Sequence, residues 1–222
     1  SQAYTGEVMG TEYREQAKIW KVDVTPENGY GNPGVNRFRR HMAFLEPNIV
    51  VIYDELAAKK PVQWNWILHS IDKMNRTGDR IDVKTSNAMG SMNLYSSAAL
   101  STNITDQFYA KADDWLGNGK KKGINYDNQW HLKADTSKPV KKARYLSIIQ
   151  INSLESGVQP AKVIRSNNTW TIKGWIIEAQ MDPEAKTLLK IKDDQGLTSF
   201  VSGAGSTELL HQDKKYTVNK RN

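Results

Sequence analysis

Apolar and polar residues alternate along this chain with the period of β-strands rather than of helices. In AKIWKVDVTP (residues 17–26), Trp20, Val22 and Val24 fall on one face. RHMAFLEPNIVVIYDEL (residues 40–56) is two apolar runs around Glu46-Pro47-Asn48, which predicts a hairpin turn there. Ile49, Val50, Val51, Ile52 and Tyr53 form an unbroken β-branched run, as in a strand covered on both faces. PVQWNWILHS (residues 61–70) alternates strictly. Val62, Trp64, Trp66 and Leu68 share one face, and Gln63, Asn65, Ile67 and His69 the other. The first set predicts core packing for both tryptophans. RIDVKTS, ARYLSIIQINS, AKVIRS, TWTIKGWIIEAQ, TLLKIKDD, TSFVSG and KYTVNK continue the series. Asn167-Asn168 and Asp193-Asp194-Gln195-Gly196 are hairpin-turn signals.

Helical periodicity is scarce. QFYAKADDWL (residues 107–116) predicts one short helix, and LGNGKKKGINYDN (residues 116–128) the longest polar loop. No repeat, Pro-rich linker or low-complexity block divides the chain. Many short strands with regularly spaced turns predict a single all-β domain over residues 1–222, an antiparallel sandwich of two packed sheets with few or no helices.

Composition changes this picture in two respects. The 222 residues contain no cysteine, which excludes a disulfide scaffold and thiolate metal sites. Lys and Arg number 31 against 24 Asp and Glu, a formal charge of +7 that suits an acidic partner: nucleic acid, an anionic membrane surface or an acidic polysaccharide. No RNA-binding aromatic motif or recognition helix supports nucleic acid. No apolar run approaches the roughly 20 residues that span a bilayer, so no membrane partner is expected. The first residues, SQAYTGEVMG, carry no basic and apolar leader, so the chain reads as a mature or excised segment.

Familiar catalytic signatures are missing. GNPG and SGAGS lack the context of a phosphate loop, and there is no G-x-S-x-G nucleophile elbow. His41, His69, His131 and His211 are isolated in sequence, and Asp113-Asp114 and Asp193-Asp194 are turn chemistry.

One stretch goes further. GVNRFRRHMAFLEPNIVVIYDELAAKKPVQWNWILHS (residues 34–70) has an Arg-rich entry, an apolar strand, a Pro turn and a β-branched strand ending in Asp, then a Lys-Pro turn and a Trp-rich strand ending Leu-His. It resembles the sandwich domain of heparinase II/III-like polysaccharide lyases. NQWHLKADTSKPVKKARYLSIIQI (residues 128–151) resembles the same domain. The resemblance implies the C-terminal sandwich of a larger lyase, periplasmic or secreted, with an N-terminal helical toroid as partner domain. Such lyases cleave acidic polysaccharide by β-elimination at a uronic acid. The reaction needs the uronate carboxylate neutralised, a base for the C5 proton and an acid for the departing oxygen. The toroid supplies most of these groups in the family, so this chain alone is expected to be inactive. The alternatives are a non-catalytic carbohydrate-binding sandwich and a purely structural one.

By resemblance, His41 matches a cleft histidine near the entry of the first long strand and is the candidate catalytic residue. Arg37, Arg39 and Arg40 precede it and suit a carboxylate or sulfate, because the guanidinium fork matches planar anions. Arg39 and His41 point to one side and Arg40 to the other, where Asp54 or Glu55 could receive it. All three are expected at a rim of the sandwich. Trp115 and Trp130 flank Lys120-Lys121-Lys122 and are candidates for sugar contact. Some relatives carry a metal held by His, Asp and His, which His41, Asp54 and His69 match in order. If residue 41 lies opposite about 53 and a second turn is centred near residues 58–59, His69 falls some 20 Å from Asp54. No metal or other cofactor is therefore expected.

Overall fold

The computed structural model describes residues 7–13, 17–24, 34–107, 129–196, 198–203, 206–211 and 214–219. The expected helix, apart from Gln107, and the polar loop lie outside the described residues, as does Trp115. In chain order the strands are β1 (Glu7–Tyr13), β2 (Ala17–Val24), β3 (Val35–Leu45), β4 (Ile49–Val62), β5 (Asn65–Ser70), β6 (Met74–Thr77), β7 (Arg80–Lys84), β8 (Ala88–Ser96) and β9 (Leu100–Thr105). There follow β10 (Trp130–Thr136), β11 (Val140–Ser153), β12 (Ile164–Ser166), β13 (Thr169–Ile172), β14 (Trp175–Ala179), β15 (Leu188–Asp193), β16 (Thr198–Gly203), β17 (Ser206–His211) and β18 (Lys214–Asn219). No helix occurs among the described residues.

The architecture is an antiparallel sandwich with an added layer. An eight-stranded sheet in the order β1-β2-β3-β4-β11-β8-β7-β6 lies between a seven-stranded meander, β12 through β18, and a three-stranded sheet, β5-β10-β9. One core joins Leu45, Val51, Tyr53, Leu146 and Ile148 of the central sheet to Trp170, Ile177, Leu189 and Ile191 of the meander. The other joins Leu56, Met92 and Tyr145 to Trp64, Trp66, Leu132 and Ala134 beside the small sheet. β4 is therefore covered on both faces, which explains its continuous apolar run: Val51 through Leu56 are all buried. β3 alternates instead, Ala43 and Leu45 being buried beside half-buried Met42 and Phe44.

The Glu46-Pro47-Asn48 turn joins β3 to β4 as the pattern predicts, and His41 lies opposite Tyr53. The second expected turn does not form. β4 continues through Ala57 and Ala58 to Val62 and takes β11 as its next neighbour, so Asp54 lies opposite Tyr145. β5 leaves this sheet and pairs with β10. A hairpin return would have paired β4 with a strand polar on one face; β11, apolar on both, fits a strand buried on both. Trp64 and Trp66 are buried as expected, with half-buried Val62 and Leu68 packed against the same core, and the Trp64 indole N–H donates to the Val140 carbonyl at 3.1 Å. In the two-residue β13–β14 loop, Gly174 adopts φ +77°, and a Cβ there would meet Asp194 Oδ2 at 3.0 Å.

Candidate functional site

Strand alternation and register decide which charged residues meet. Arg39 lies opposite Glu55 and His41 opposite Tyr53, so all four share the face that packs on the meander. β11 adds Arg144 opposite Glu55. Arg39 and Glu55 are buried and His41 has no exposed surface. Glu55 Oε2 lies 3.5 Å from an Arg39 guanidinium nitrogen and 3.6 Å from His41 Nε2. His41 Nδ1 makes a 2.7 Å hydrogen bond with Ser202 Oγ of β16, which crosses between the two sheets. Burial pushes the Glu55 carboxyl up, but the hydrogen bond and charge of His41, then the charges of Arg39 and Arg37, outweigh it and hold Glu55 below the usual carboxylate range. The group is a buried carboxylate balanced by cations.

Beside this cluster a cleft of about 190 Å³ opens between the ends of β4 and β11 and the segment before β15. Arg37, Glu55, Lys142, Arg144, Glu184 and Lys186 supply its charged lining, four cations against two carboxylates. Its far wall is pinned to the central sheet. Arg144 donates to the carbonyls of Gln180 and Ala185 at 2.7 and 2.5 Å, and the Tyr53 hydroxyl donates to Gln180 at 2.6 Å. Lys142 pairs with Glu184. Burial raises the Tyr53 phenol well above its usual range despite the nearby Arg144 charge, so it stays a neutral donor. The excess positive charge suits an anionic group, and the pinned wall holds the lining in place without a ligand.

The structure separates the residues singled out in the sequence. Arg37 is exposed and lines the cleft. Arg39 and His41 are not at a rim: the meander covers them, because β16 lays Ser202 directly on His41. Arg40 points to the opposite face and grips Asp54 with two bonds of 2.6 and 2.8 Å, as strand alternation requires. Trp130 is half-buried against the second core, with Lys73 Nζ 5.3 Å from its ring centroid. His41, Asp54 and His69 do not converge. His41 and Asp54 lie on opposite faces of the central sheet, and His69 sits in the small sheet opposite His131. Lys142, Arg144, Lys186 and Ser202 were missed by sequence reasoning, since each reaches the site through tertiary pairing. Glu55, offered by the sequence to Arg40 as an alternative to Asp54, lies instead on the face of Arg39, because strand alternation puts residues 54 and 55 on opposite sides.

The match to solved structures extends over nearly the whole chain. A heparinase III superposes at a TM-score of 0.58 with 10% identity over 90% of this chain. The heparan sulfate lyase HepC of Pedobacter heparinus gives 0.51 with 11% identity over 90% of it. The fold is that of a heparinase-like domain. A further heparinase III structure matches at 0.50 with 13% identity over 97% of this chain. The heparinase-like domain spans only 28%, 28% and 27% of those three chains, so it corresponds to part of each. Neither a family model nor a curated protein matches the sequence.

Proposed function

We propose that this chain is the sandwich portion of a polysaccharide lyase acting on uronate-containing glycan by β-elimination, with the cationic cleft meeting an acidic group of the substrate. The superposition on a heparinase III over 90% of the chain carries this reading. In the reaction, a base removes the C5 proton, the C4–C5 double bond forms and the C4–O bond breaks, with a proton passing to the leaving oxygen. Arg37 and Lys186 of the cleft lining are the groups suited to neutralising the uronate carboxylate. His41 has no exposed surface, so here it is a positioning residue that orients Glu55 and ties β3 to β16. The base and acid then come from a helical partner domain, and the chain alone does not turn over. This reading places the protein in the periplasm or outside the cell.

The test compares this chain with its full-length parent on heparan sulfate, following the ultraviolet absorbance of the unsaturated uronate product. Product is expected from the parent and none from the chain alone. In the parent, Arg37→Ala should raise KM up to about fivefold, the range for one solvent-reachable ion pair, and the effect should shrink with added salt. Product formation by the isolated chain, or a parent inert on every uronate polymer, refutes the proposal.

A further inference from the structure

The outward face of the three-stranded sheet carries two histidines that chain order keeps far apart. β5 and β10 run antiparallel with His69 directly opposite His131. Leu68 and Leu132 beside them turn inward to the core, so both imidazoles project to the outer side. Their ring centroids are 5.9 Å apart with the planes inclined by 34°. His69 is exposed and His131 half-buried. Nδ1 of His131 is shielded from water, so Nε2 is the nitrogen this ring presents.

We propose that His69 and His131 form a binding site for a divalent transition-metal ion, held by two imidazoles and completed by water. A metal about 2.0 Å from a ring nitrogen lies roughly 3.2 Å from the ring centroid. Two such spans bridge at most about 6.4 Å, so the observed 5.9 Å admits one ion between the rings. Closing the rings by less than about 1 Å brings the nitrogen–metal–nitrogen angle to the tetrahedral value. Two neutral imidazoles are ligands of intermediate softness, which orders the ions as copper(II) above nickel(II) and zinc(II). No group of three or more His, Asp or Glu ligands gathers among the described residues, so this is a two-ligand site of modest affinity. Lys133 shares the face two residues along, roughly 7 Å away, and weakens cation binding somewhat. A bound ion would clip β5 to β10 at the end where Trp130 and Ser70 pair.

The experiment titrates the metal-free chain with copper(II) and with zinc(II), following heat and the imidazole proton resonances. One ion per chain is expected, copper the tighter, with the resonances of His69 and His131 broadened first. His69→Gln should weaken binding about tenfold or more. Because His69 is exposed, that variant keeps its thermal unfolding midpoint in metal-free buffer, so lost binding is not lost fold. His131→Gln should give the same loss where it folds. Equal affinity in His69→Gln, or first broadening at other histidines, overturns the site.

Discussion

Arg40 and Asp54 offer the sharpest test of how the central sheet holds its charges. Asp54 is buried, with 3% of its side chain exposed, while 35% of the Arg40 side chain reaches water. The guanidinium binds both carboxylate oxygens, at 2.6 and 2.8 Å, from the neighbouring strand. Hydrogen bonding to Asp54 raises the already high pKa of Arg40, with burial opposing it. Arg40→Met keeps the unbranched stem but removes the guanidinium, and leaves the carboxylate uncompensated. Breaking a fully buried pair costs about 3–5 kcal/mol. Water at the exposed edge of Arg40 reduces this to about 2–3 kcal/mol. At about 2–4 °C per kcal/mol for a chain of this size, the melting temperature should fall by about 4–12 °C. Adding Asp54→Leu should recover part of the loss, because the orphaned charge is gone. Chemical denaturation of the wild type, both single variants and the double variant measures the coupling. A loss under about 0.5 kcal/mol for Arg40→Met, or a double variant equal to the sum of the singles, refutes the reasoning. On the proposed function, the same variant, once folded, should leave any affinity for heparan sulfate unchanged, since Arg40 lies on the face opposite Arg39 and outside the cleft lining.

Two further outcomes follow from the buried face. The folded Glu55 carboxyl lies below its ordinary value of 4.5, so its contribution to stability is complete above that pH and is lost as pH falls through the lower folded value. The stability difference between wild type and Glu55→Gln should therefore shrink on acidification below about 4, read by denaturant unfolding at several pH values; a difference that grows in acid contradicts it. Trp170 is fully buried between the central sheet and the meander, so Trp170→Ala should cost about 3–5 kcal/mol by the same measurement, and a loss under about 1 kcal/mol would show that this core relaxes around the gap.

Local pattern alone settled much of this protein. The period-2 alternation identified the strands, because a strand with one buried face must repeat every second residue. The unbroken run from Ile49 to Tyr53 marked a strand buried on both sides, and the Pro47 turn set His41 opposite Tyr53 and Arg40 against Asp54. Those pairings were legible because a hairpin fixes register over short sequence distance. The resemblance carried by residues 34–70 anticipated the heparinase-like fold that the solved structures show. Pairings across long sequence distance belonged to the tertiary structure. β4 chose β11 over β5, which placed Arg144 beside Glu55 and sent Trp64 and Trp66 into a third layer. β16 came down on His41, turning an expected rim residue into a buried one. The cleft drew Lys142 and Lys186 to Arg37, and β10 brought His131 to His69. Strand alternation says which residues share a face, but which other strand covers that face depends on packing over the whole chain, and no local window contains it.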